Sequence, residues 1–311
     1  MSSQFDDGCL QESTGIGDLP TEQPNPASQG IDALDTAEVL AVINAQDRQV
    51  AEAVGAEIPN IAKAVDAIME AVRGGGRLFY IGAGSSGRLG VLDATECPPT
   101  FGVSPDLVQG VIAGGEKALA HATEASEDDP AEGERDLTAR GFRARDLLVG
   151  IAASGRTPYV LGAVAAARKV GARTVGISCA PNSELAQAVD IAITPPTGAE
   201  VVAGSTRMKA GTATKLVLNM ISTAVMIKLG YVYGNLMVNV QPRNVKLRDR
   251  ARRIVSQAAG VPLGDAAGLL EASGGNVKTA IVMGRLRVDC VEAERRLASA
   301  GGRVSEALRN G

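Results

Sequence analysis

The stretch IGAGSSGRLGVLDATECPPTFG, Ile81 to Gly102, extends the apolar run Leu78 to Ile81 and sets Gly82, Gly84 and Gly87 in GxGxxG spacing. An apolar strand that runs into a glycine turn and then a helix opens a βαβ unit, so this stretch decides the fold class. In dinucleotide-binding domains the same spacing is joined by an acidic residue at the end of the second strand, about 20 residues on. Here the second strand candidate, Leu107 to Ala113, ends in Gly114 and Gly115 before Glu116. Pro98 and Pro99 should also limit the helix to roughly three turns from Gly87. Both features argue against a dinucleotide and for a smaller anion beside Glu96.

Outward from this unit, Leu147 to Ala152, Thr174 to Ser178 and Ile191 to Thr194 are short apolar runs bounded by turn residues, with a helical pattern at Pro158 to Val170. Strands alternating with helices predict an α/β fold, a doubly wound parallel sheet covered on both faces. Upstream, Thr36 to Val72 carries apolar residues at helical spacing broken near Pro59, which predicts two N-terminal helices. Beyond Asn244 the pattern is amphipathic and strand-free, the mark of a small all-helical C-terminal domain. Residues 1–30 are rich in Ser, Gly, Pro, Gln and acidic residues and are expected to be a disordered acidic tail. The expected organisation is 1–30 tail, 31–243 sheet domain and 244–311 helical domain.

Composition narrows the function. The 311 residues are 45% hydrophobic and 21% charged, ordinary for a globular chain. Aromatics make up 3% with no Trp, so a stacking platform for bases is not expected. Net charge is −4 with dispersed basic residues, unlike a nucleic-acid binder. Cys9, Cys97, Cys179 and Cys290 show no CxxC spacing, which fits a reducing cytoplasm rather than a disulfide framework or zinc site. His121 is the single histidine, so neither a His-based metal centre nor a Ser/His/Asp triad is expected. The N-terminus lacks a signal-peptide pattern, and the run Leu216 to Ile227, closed by Lys215 and Lys228, is too short to span a bilayer. A soluble cytoplasmic protein without membrane contact is expected.

In a parallel sheet the ligand lies beyond the carboxyl ends of the strands, where loops meet helix N-termini. Three such loops carry hydroxyls: Ser85 and Ser86 in GAGSSGR, Ser154 and Thr157 in ASGRTP, and Ser205 and Thr206 in GSTRMK, with Arg207 and Lys209 beside the last pair. Any one of them could be a simple helix cap. Together they favour a phosphomonoester. Among carboxylates, Glu96 stands where the first helix should break, and Glu127 lies in the acidic segment EASEDD. Spacing alone leaves open which carboxylates face the pocket, since Glu116, Glu124 and Glu200 could equally be solvated.

Three long motifs, GRLFYIGAGSSGRLGVLDATECPPTFG (76–102), VGIAASGRTPYVLGA (149–163) and GAEVVAGSTRMKAGTATKLVLNM (198–220), resemble those of the N-acetylmuramic acid 6-phosphate etherases in the sugar isomerase (SIS) domain superfamily. The similarity extends from about Leu34 to the C-terminus, YGNLMVNV (233–240) included, where Asn239 stands in place of the Asp of many relatives. The third motif is shared with the glucokinase regulatory protein, whereas ECPPT points to the etherases.

The resemblance implies cleavage of the D-lactyl ether of N-acetylmuramic acid 6-phosphate, a homodimer, and a sugar-phosphate site with no metal or other cofactor. By motif it carries catalytic roles to Glu96 and Glu127, and phosphate contacts are expected from Ser85, Ser86, Ser154, Thr157, Ser205 and Thr206. Glu96 is assigned as proton donor to the departing lactate and Glu127 as partner base, with the converse division open. A noncatalytic sugar-phosphate sensor and an aldose-ketose isomerase are the competing expectations.

Overall fold

The computed structural model describes residues 17, 19–121, 126–240 and 245–309. Its sheet has five parallel strands, β1 (Leu78–Gly82), β2 (Val108–Ile112), β3 (Leu147–Ile151), β4 (Arg173–Ile177) and β5 (Ile191–Ile193), in the order β2-β1-β3-β4-β5. Each lies within the run expected from the sequence or one residue beyond it. Alternate side chains serve opposite faces. Leu78 and Tyr80 join a core with Leu147, Val149, Val175 and Ile177, whereas Phe79, Ile81 and Leu148 pack into a second layer on the other side. Burial on both faces is why the strands read as continuous apolar runs.

Helices α1 (Thr36–Ala56), α2 (Ile58–Arg73), α3 (Gly84–Phe101) and α7 (Lys209–Lys228) cover the first face. The Asp35 side chain caps α1 in a reciprocal capping box with Glu38, and Pro59 sits in the first turn of α2, where a missing N–H costs nothing. Helices α4 (Pro130–Ala139), α5 (Pro158–Lys169) and α6 (Glu184–Ala188) belong to the other face, where Leu137, Tyr159, Val160 and Leu185 meet the strands. Helix α7 has the length and hydropathy of a membrane span, but half of its apolar window is buried against the core. After Val240 come α8 (Val245–Ala259), α9 (Leu263–Ala272), α10 (Val277–Leu286), α11 (Cys290–Ser299) and α12 (Val304–Ala307), which share a hydrophobic cluster with Val238 and Val240. The boundary expected at 243–244 lies outside the described residues.

Two expectations are corrected. Helix α3 does not stop at Pro98 but continues through Pro98 and Pro99 to Phe101, 18 residues in all. Proline's fixed φ is helical, so the cost is confined to the carbonyls of Ala94 and Thr95, and burial of Cys97 and Phe101 on one face holds the last turn. Residues 19–30 are also placed, although composition read them as disordered. Leu19 and Thr21 are buried, and short 3-10 turns form at Pro26–Ser28 and Ile31–Ala33. Residues 1–16 and 18 lie outside the described part of the chain.

Candidate active site at the carboxyl ends of the strands

The strand order changes direction between β1 and β3, the position where open parallel sheets bind ligands. Gly82 is in register with Ile151, so the loops after the two strands leave the sheet side by side. The first loop is tight. A Cβ on Gly87 would fall 2.5 Å from the Gly82 carbonyl oxygen, and one on Gly82 would fall 2.8 Å from the Gly87 nitrogen. The glycine spacing therefore serves close strand-to-helix packing. Ala83 gives α3 no side-chain cap, so the first N–H groups of the helix stay open toward the crevice. Ser85 and Ser86 stand there, half-buried.

The second loop turns under β4. Gly155, at φ +68, lies so close to Ser183 that a Cβ would come within 2.2 Å of its Oγ. Ser154 Oγ accepts the Arg156 N–H at 3.3 Å, and α5 starts without a side-chain cap from Thr157. The Thr157 hydroxyl instead donates to Glu127 Oε1 at 3.0 Å, and the Tyr159 N–H donates to the Glu127 carbonyl at 3.1 Å. The structure thus brings Glu127 to the second loop. Because a hydroxyl carries one proton, Thr157 cannot also donate to a phosphate in this arrangement.

The third loop differs from the other two. The start of α7 is already filled: Glu200, fully buried, accepts the N–H groups of Lys209 and Ala210, each at 2.9 Å. Glu200 is therefore not a solvated glutamate, and the N-terminus of α7 has no room for an anion. Lys209 is buried as well and donates to Gln46 Oε1 of α1 at 3.0 Å; burial pushes its pKa down. Ser205 and Thr206 occupy the turn before α7, where the Thr206 carbonyl accepts the Gly211 N–H. The first and third motifs do meet, across a cavity of about 370 Å³ lined by Ser85, Arg88, Leu89, Arg207, Gly211, Thr212 and Lys215. Three cations around one cavity favour an anion.

Glu96 is not at this crevice. It is exposed on α3, roughly 16 Å along the axis from Ser85 at ~1.5 Å per residue. One turn before it, Asp93 is buried between α3 and α7 and accepts the Ser222 hydroxyl at 3.1 Å. Burial raises the Asp93 pKa against the opposing pull of Tyr80, Ser222 and Lys215. Burial, with Asp93 and Glu96 nearby, lifts the Cys97 thiol to about 12. Glu116 is exposed in the turn after β2, and Glu124 lies outside the described residues. Asp93 and the Glu200 cap carried no local sequence signal, because each depends on a partner from another element.

Comparison with known proteins agrees with this architecture. Residues 60–168 match the family model of the glucokinase regulatory protein N-terminal SIS domain, and residues 126–224 match that of the SIS domain. An N-acetylmuramic acid 6-phosphate etherase of Pectobacterium atrosepticum is 54% identical over 300 residues, spanning 96% of this chain and 99% of the relative. One of Aeromonas hydrophila is 55% identical over 291 residues, spanning 94% and 98%. N-acetylmuramic acid 6-phosphate etherase 1 of Bacillus licheniformis is 51% identical over 297 residues, spanning 96% and 98%. With strands, glycine turn and carboxylates all inside the shared length, the chain belongs to the N-acetylmuramic acid 6-phosphate etherase family of SIS-domain proteins.

Proposed function

We propose that this chain is a carbon-oxygen lyase that converts N-acetylmuramic acid 6-phosphate and water to N-acetylglucosamine 6-phosphate and D-lactate. The observation that carries the proposal is the bond from Thr157 to Glu127, which seats a carboxylate at the start of α5, beside the switch point of the sheet. The family of the relatives supports the substrate.

The phosphate is held by the open N–H groups of α3 with Ser85, Ser86 and Ser154, and Arg88, Arg207 and Lys215 add positive charge. Ser205 and Thr206 shape the turn that presents Arg207. In the open-chain sugar the C1 carbonyl acidifies the C2 proton. A carboxylate removes that proton, the electron pair forms a C2–C3 double bond, and the lactyl oxygen leaves C3 with a proton from the second carboxylate. Water then adds at C3 and C2 is reprotonated. Two positioned carboxyl groups are the whole requirement, each contributing about 10² to 10⁴-fold. We assign Glu127 as the base, held by Thr157, and Glu96 as the acid.

Glu96 is too far along α3 to reach a sugar anchored at its own Ser85, so the acid comes from a second copy of the chain. Leu92 beside it on α3, and Met220 and Ile227 on α7, are large apolar side chains left exposed, the kind of surface a homodimer covers. The buried free thiols of Cys97 and Cys179 suit a reducing cytoplasm. Incubation of the purified protein with N-acetylmuramic acid 6-phosphate should release D-lactate; an isomerase or a sensor would bind the sugar phosphate and release none.

A further inference from the structure

Residues 19–29 were expected to be part of a disordered tail, yet they are bonded along their length to the loop between β5 and α7. Asn25 Nδ2 donates to the Ala199 carbonyl at 3.0 Å and to Gln46 Oε1 at 2.9 Å, while Asn25 Oδ1 accepts the Ala27 N–H at 2.9 Å. The Ser28 hydroxyl donates to the Val201 carbonyl at 2.7 Å, and the Gly204 N–H donates to the Thr21 carbonyl at 3.2 Å. The loop has neither strand nor helix of its own at 199–204, so these bonds satisfy backbone groups that nothing regular would.

Gln46 joins the two halves of the arrangement. Its Oε1 accepts from Asn25 of the segment and from Lys209, the first residue of α7. Thr21, Gln46, Glu200 and Lys209 are all buried, so every one of these groups needs its partner. The loop they hold leads straight into Arg207, Gly211, Thr212 and Lys215, one wall of the cavity shared with Ser85.

We propose that residues 19–29 form a strap, and that Asn25 and Gln46 are positioning residues: they fix the loop before α7 and through it the cationic wall of the sugar-phosphate cavity. The role in catalysis rests on the proposed function; the mechanical role does not. Neither residue touches the substrate. Their effect falls on how well the wall is pre-organised for the phosphate, and so on KM rather than on the proton transfers.

Three variants separate positioning from folding. Asn25→Asp keeps the acceptor for Ala27 and the shape of the side chain but loses both donated bonds. It should raise KM for N-acetylmuramic acid 6-phosphate by about tenfold, with kcat changed less than about threefold. Gln46→Leu should do the same or more, and Gln46→Glu, which still accepts from Asn25 and Lys209, should stay near wild type. Hydrogen exchange supplies a readout independent of the reaction: the Gly204 amide and its neighbours at 199–206 should exchange faster in Asn25→Asp, while the β1 and β3 amides keep their protection. Unchanged exchange at 199–206, or unchanged KM in an active enzyme, would overturn the strap. Absence of lactate release by the wild-type protein would instead remove the proposed reaction and leave the exchange result to decide the strap.

Discussion

The Thr157 hydroxyl donates to Glu127 across 3.0 Å, so the side chain that would otherwise cap α5 holds a carboxylate instead. Thr157→Val keeps the shape and removes that proton. Loss of a hydrogen bond to a charged group should lower kcat by about 10- to 100-fold and leave KM within about twofold. A raised KM with normal kcat would return Thr157 to the phosphate. Ser154→Ala should show the opposite pattern, a higher KM at near-normal kcat, in the same steady-state assay.

Glu96→Gln should lower lactate release by roughly 10² to 10⁴-fold while the protein still binds N-acetylglucosamine 6-phosphate, measured by calorimetry. Because Glu96 and the crevice of its own chain are apart, Glu96→Gln and Glu127→Gln dimers, each inactive alone, should regain activity when their subunits are exchanged. Exchange shown by mass spectrometry with no recovery would contradict a site built from two copies.

Asp93 gives a stability test with a defined sign. Burial raises its folded pKa, so its contribution is fully present below the ordinary carboxylate value, about 3.9, and is lost as pH rises through the folded value. At pH 7 the protein bears the cost of a buried carboxylate that Asn would not. Asp93→Asn, which can still accept from Ser222, should raise Tm at pH 7, and the gain should shrink toward pH 4. A difference that does not vary with pH would contradict this account.

Gly155→Ala combines a strained φ of +68 with a Cβ lodged against Ser183. It should cost about 1–3 kcal/mol in chemical denaturation. A neutral effect would mean that the second loop can shift to admit a side chain.

The strands were legible because each is a buried apolar run punctuated by glycine or proline, a pattern contained in the run itself. Gly82, Gly84 and Gly87 were legible as a turn, and the glycines that end β2 where a dinucleotide site would place its acid spoke against a dinucleotide. Helix α3 was read too short, since its passage through Pro98 and Pro99 depends on Cys97 and Phe101 finding the core, which local propensity does not record. Asn25 and Glu200 were missed for a related reason. The Asn25 bond to Ala199 spans 174 positions, and the Glu200 cap exists only because a loop folds back on α7. Short polar segments that bury through such bonds look disordered by composition. Thr157 looked like a phosphate ligand because hydroxyls at a helix N-terminus suit an anion, and only the placement of Glu127 shows where its proton goes.

The most direct test of the central claim is the fate of oxygen when the wild-type enzyme acts on N-acetylmuramic acid 6-phosphate in water enriched in oxygen-18. Elimination at C3 followed by hydration predicts one heavy oxygen at C3 of the N-acetylglucosamine 6-phosphate and none in the D-lactate. Heavy oxygen in the lactate, or no lactate at all, would contradict it.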